Sequence, residues 1–189
     1  MGTAIKSFIL RHNLSPLSRV AAVLAVLAPP LVGCISAPSP LLTDANAILG
    51  EQGEIHFFSA PGTNPREHSV MNFEWSGSRY VFSGRSGSIS DFTAHPFEGR
   101  DLIVQSTTAR TPRVTEYAIA RKLADGVYMI MPISEDDVDD ATRERFCTKT
   151  QDASCRITTP EQLFVFAKAT ATKDEESGGI AVIVPTNRR

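Results

Sequence analysis

The chain has 189 residues, 42% of them apolar, and a formal net charge of −2. That length suits one ordinary domain with a sizeable core. An acidic balance excludes the basic electrostatic footprint of a nucleic-acid binder. It also supplies no basic belt for anionic head groups, so any membrane contact must come from apolar or acyl groups.

Residues 1–33 contain Lys6, Arg11 and Arg19 and neither Asp nor Glu. An apolar run from Val20 to Ala28 follows, then Pro29-Pro30 and Leu31-Val32. A basic, acid-free leader with a short apolar core and small residues at its end reads as a secretory signal. The apolar stretch of about 13 residues falls short of the roughly 20 a spanning helix needs. The two prolines would break such a helix in any case. At the end of this leader, Leu31-Val32-Gly33-Cys34 resembles the lipobox of bacterial lipoprotein precursors. The resemblance covers only the first 34 residues. It implies a diacylglyceryl group on the Cys34 sulfur, cleavage before Cys34 and acylation of the new amino group. Two or three acyl chains hold a protein stably, because each buried methylene contributes about 0.8 kcal/mol. Ile35 rather than Asp after the cysteine implies the outer membrane, facing the periplasm. A plain secretory signal with an unrelated cysteine is the competing reading.

Removal of residues 1–33 leaves sixteen Lys and Arg against 21 Asp and Glu, a net charge of −5. It also leaves Cys147 and Cys155 as an even pair in an exported chain, where disulfides persist. The segment between them is polar and loop-like, and a seven-residue gap is neither Cys-x-x-Cys nor accompanied by a histidine. A structural disulfide is expected. Closing a ring of about nine residues stabilises the fold by about 2.5 kcal/mol in the chain-entropy picture.

Ile35-Ser-Ala-Pro-Ser-Pro40 reads as a Pro/Ser spacer, and residues 41–52 as one short helix stopped by Gly50. Strand-like runs follow. Residues 54–58 are short and apolar. In 70–75, Met71, Phe73 and Trp75 share one face while Asn72 and Glu74 share the other, the alternation of a half-buried strand. Residues 79–83 return with Tyr80 and Phe82 on one face. Residues 89–94 and 102–107 are further strands, with a turn at 98–101 between them. Residues 114–123 set Thr115, Tyr117 and Ile119 against Glu116 and the alanines. Asp125-Gly126 is a hairpin signal, and 127–133 is apolar on both faces. Ser134 then caps a helix over 135–146. Thr159-Pro160-Glu161-Gln162 starts a second helix, with Leu163, Phe164, Phe166, Ala167 and Thr170 inward. Residues 179–185 form a last strand.

Strands first and helices late predict an α+β fold: a mostly antiparallel β-meander sheet with two C-terminal helices. A small β-barrel with appended helices is the alternative. The domains are 1–33 (signal peptide), 34–52 (acylated cysteine and tether) and 53–189 (one α+β domain).

Chemistry is harder to find. Glu135-Asp-Asp-Val-Asp-Asp140 lacks the alternate ligands and bend glycine of a calcium loop, and reads as a solvent-facing acidic turn. His56, His68 and His95 fall in separate elements without metal-ligand spacing. Ser83 to Ser88 lacks the end of a phosphate loop. The sequence asks for no cofactor or metal. Phe57, Phe58, Phe73, Trp75, Tyr80, Phe82, Phe92 and Phe97 read as core, with Trp75 beside a Ser-Gly turn the candidate partner anchor. The expected role is a non-enzymatic binding, scaffold or inhibitor-like module of the envelope, anchored through Cys34. An envelope hydrolase with a site assembled from loops, or a carrier of an apolar ligand, are the alternatives.

Overall fold

The structure, a computed structural model, describes residues 34–59, 68–83, 89–108, 111, 113–150, 155–173 and 178–186. The chain is mostly β. Its strands are β1 (Ile35–Ala37), β2 (Gln52–Phe58), β3 (His68–Trp75), β4 (Tyr80–Ser83), β5 (Ile89–Pro96), β6 (Leu102–Thr108), β7 (Thr115–Ala124), β8 (Val127–Pro132), β9 (Thr148–Lys149), β10 (Cys155–Arg156) and β11 (Gly179–Pro185). The helices are α1 (Asp140–Phe146) and α2 (Pro160–Ala171).

Strands β2 to β8 pair antiparallel in chain order, and β11 inserts between β8 and β2. Eight strands thereby close into an up-and-down barrel. The open meander sheet expected from sequence is corrected to its alternative, a small barrel with appended helices. Closure depends on one late strand. The apolar, β-branched β11 offers both backbone edges, and it reaches β2 across more than a hundred residues.

The register identifies the inner face. Trp75 pairs with Tyr80, Phe73 with Phe82 and Tyr80 with Phe92. These rings fill one end of the barrel in edge-to-face and stacked contacts with centroids 4.8–6.4 Å apart, geometries that aromatic quadrupoles favour. Ala94, Ala120 and Ala181 face them across the interior and are almost wholly buried. Gly179 belongs to the same design: a Cβ there would sit 2.3 Å from the Phe57 ring.

Tyr117, Ile119, Met129 and Met131 lie on the other parity, outside the barrel, yet they are buried. Helix α2 covers them with Leu163, Phe166 and Ala167. The capping box between Thr159 and Gln162, with proline in the first turn, starts α2 as its sequence predicts. Phe164 is the exception to the predicted inner face. It is exposed and stacks on Phe97 at 6.3 Å.

Two N-terminal expectations are corrected. The expected spacer 35–40 contains strand β1, with Ile35 and Ala37 buried. It pairs with β7 and β10, because its alternate apolar side chains fit the wall left open where β8 ends. Residues 41–50 form no helix. They cross the outer wall as an irregular strap, with Leu41 and Leu42 held by Gln105. Further along, the acidic run gives a single 3-10 turn at Glu135–Asp137 and then α1, capped by Asp139 through the Thr142 amide at 2.8 Å. The Asp125-Gly126 hairpin forms, with Gly126 at φ +71°. There only a residue without a side chain is unstrained, and a Cβ would lie 2.9 Å from the Ile183 carbonyl oxygen.

Candidate functional site

Cys34 precedes β1 and bridges to Ser134 at the end where β8 stops. It is half-buried and is the one free cysteine among the described residues. Burial pushes its thiol up to about 11, with Glu116, Asp137 and Asp136 adding in the same direction. An unmodified thiol here is therefore a poor nucleophile at neutral pH.

Cys147 and Cys155 are placed as a disulfide, with Cα atoms 5.1 Å apart. The bridge closes the hairpin of β9 and β10, and Cys155 packs fully buried against Ile35 and Ile157. Glu135 joins this cluster, which sequence reasoning missed. It is 4% exposed, lies 3.7 Å from the Cys147 sulfur and is ion-paired to Lys149. The acidic turn is thus not wholly solvent-facing. Asp137 is engaged too, by the Thr170 hydroxyl and by Lys173 at 2.7 Å. The three ligand atoms of Glu135, Cys147 and Cys155 lie within 4.8 Å of one another, but the disulfide occupies both sulfurs.

Trp75 lies at the opposite end of the barrel from Cys34, as the strand directions require. Half of the indole is core, edge-on to Tyr80 at 4.9 Å. The rest borders an open cleft of about 580 Å³ with Gly50, Glu51, Gln52, Glu74, Pro185 and Thr186. A smaller hollow of about 260 Å³ beside it is lined by Ile48, Leu49, Gly126, Tyr128 and Ile183 among others. Neither is lined by Phe or Met, so neither offers the large apolar cavity that a carrier of an apolar ligand needs.

The histidines separate into two settings. His95 is 7% exposed under the strap and contacts the Thr93 hydroxyl at 2.8 Å. Burial lowers its pKa, partly offset by Asp44. His56 and His68, 12 residues apart in sequence, meet on the outer wall: His56 Nδ1 is 3.2 Å from His68 Nε2. Glu54 reaches the other nitrogen of His56 at 3.1 Å. The Glu54-x-His56 half was legible, since residues two apart on a strand share a face. The His68 half depended on β2–β3 register. No described histidine lines either cleft.

These features define a closed eight-stranded barrel with a strapped outer wall, a half-buried cysteine at one end and a tryptophan-edged cleft at the other. No family model, curated protein or solved structure matches the chain.

Proposed function

We propose that this protein is a lipid-anchored envelope lipoprotein, acylated on Cys34, whose barrel is a non-enzymatic binding module presenting its Trp75 end to a protein partner. The observation that carries this reading is the position of Cys34. Ile35, one residue on, is fully buried in β1. Acyl chains on Cys34 would therefore hold the barrel without slack, with the Cys34 end toward the bilayer and the Trp75 cleft away from it. No helix among the described residues is long and apolar enough to cross a membrane. An outer-membrane location facing the periplasm follows from Ile35 after the cysteine and belongs to the same proposal.

The test is metabolic labelling with a palmitate analogue. Cys34→Ser abolishes labelling and releases the protein from membranes; unchanged labelling overturns the anchor. Crosslinking in intact cells then compares wild type with Trp75→Ala. A partner lost in the variant supports the binding end, and an unchanged set of crosslinks overturns it.

A further inference from the structure

We propose that His56 and His68 form a surface site for a divalent transition-metal ion of the zinc class, with Glu54 orienting His56 from behind. Three observations converge on it. First, His56 on β2 pairs with Val70, and His68 pairs with Phe58. The two imidazoles are therefore diagonal neighbours on adjacent antiparallel strands, projecting from one face. Second, their facing nitrogens are 3.2 Å apart. Two imidazole nitrogens bound tetrahedrally to zinc at 2.0–2.1 Å are about 3.3 Å apart. The pair already stands at the spacing of one ligand edge, and rotation about χ2 at this outward face turns both lone pairs to a common ion.

Third, the far nitrogen of His56 is already engaged. Glu54 Oε2 lies 3.1 Å from His56 Nε2. A carboxylate accepting from Nε2–H fixes that tautomer and leaves the Nδ1 lone pair free, the carboxylate–histidine–metal arrangement. Without metal, His68 Nε2–H donates to this lone pair. On binding, His68 carries its proton on Nδ1 instead and offers Nε2. Phe58 stacks on the His68 ring at 4.6 Å and 10°. Imidazole nitrogens select borderline ions such as Zn²⁺ and Ni²⁺ over Ca²⁺ and Mg²⁺. Two protein ligands leave the remaining positions to water or to a donor from another molecule.

Calorimetric titration of the untagged full chain with Zn²⁺ tests this, using His12→Asn as common background so that no leader histidine contributes. One Zn²⁺ per chain is expected. His56→Ala and His68→Ala each remove the binding. Glu54→Gln keeps the stoichiometry and weakens affinity about 10- to 100-fold. The ring signals of His56 and His68 move on titration, while those of the strap-covered His95 stay. Circular dichroism of the apo variants, whose changes lie on the outer wall, shows that the fold is retained. Absent binding, or binding unchanged in the two histidine variants, overturns the site. Unchanged affinity in Glu54→Gln overturns the role given to Glu54.

Discussion

Gln105 holds Leu42 from both sides: its side-chain oxygen accepts the Leu42 amide at 3.1 Å, and its Nε2 donates to the Leu42 carbonyl at 3.1 Å. The same oxygen accepts the Leu41 amide at 2.9 Å, and the same nitrogen reaches the Thr93 hydroxyl at 3.1 Å. One buried side chain on β6 thus fastens the strap to the barrel wall. Gln105→Ala should cost about 2–4 kcal/mol, because the partners lose their bonds while still buried. Urea unfolding measures the loss. Hydrogen exchange should show Leu41 and Leu42 opening before the strands beneath them, and co-exchange with the barrel would argue against a separately fastened strap.

Tyr117 lies under that strap, and its buried hydroxyl has no hydrogen-bond partner of good geometry among the described residues. The Leu41 amide is near enough to lower its pKa, but that N–H is already given to Gln105. Tyr117→Phe should therefore stabilise the fold by about 1 kcal/mol, since it deletes an unsatisfied buried group and little else. A lower urea midpoint in the variant would show that the hydroxyl is bonded after all.

The same burial has a consequence at high pH. Burial raises the pKa of Tyr117, and that of Tyr80 as well, where it outweighs the opposing effect of the Leu49 amide. A phenol whose folded pKa exceeds its unfolded value of about 10 stabilises fully below that pH. The contribution is lost as pH rises toward the folded value, because the unfolded chain releases its proton first. Stability should begin to fall near pH 9, where the Cys34 thiol of the unfolded chain ionises, and fall further above pH 10 as the phenols join, less steeply there in Tyr117→Phe than in wild type. Chemical unfolding across pH 8–11.5 reads both slopes, and equal slopes would remove Tyr117 from the explanation.

Cys147 and Cys155 give a fourth expectation. Peptide mapping of the unreduced exported protein should recover one peptide linking them, and free thiols at both would contradict the bridge. The double Cys→Ser variant should lose about 2.5 kcal/mol, the chain-entropy value for so short a ring.

Much of the local structure was legible. Alternation marked β3, β4 and β7, the Thr159–Gln162 box marked α2, and Asp125-Gly126 marked the hairpin. These signals act over a few residues, where backbone sterics and caps decide. The spacer over 35–40 was misread because Pro38 and Pro40 suggest a free tether, whereas Ile35 and Ala37 find their partners more than seventy residues away on β7 and β10. Glu135 was misread because an acid in a run of acids looks solvated, and only the fold brings Lys149 and the disulfide to it.

By itself, the amino-acid sequence determined which residues share a strand face, where α2 starts and which cysteines can pair. It could not determine the sign of those faces. Period-two alternation separates Tyr117 and Ile119 from Ala118 and Ala120 without saying which set lies inside. Tertiary structure decided that when β11 joined β8 to β2 and closed the wall. The alanines then faced the aromatic rings across a narrow interior, and the larger side chains turned outward beneath α2 and the strap. The direct pairing of β2 with β3 brings His56 to His68, a contact between rings that no spacing along the chain could reveal.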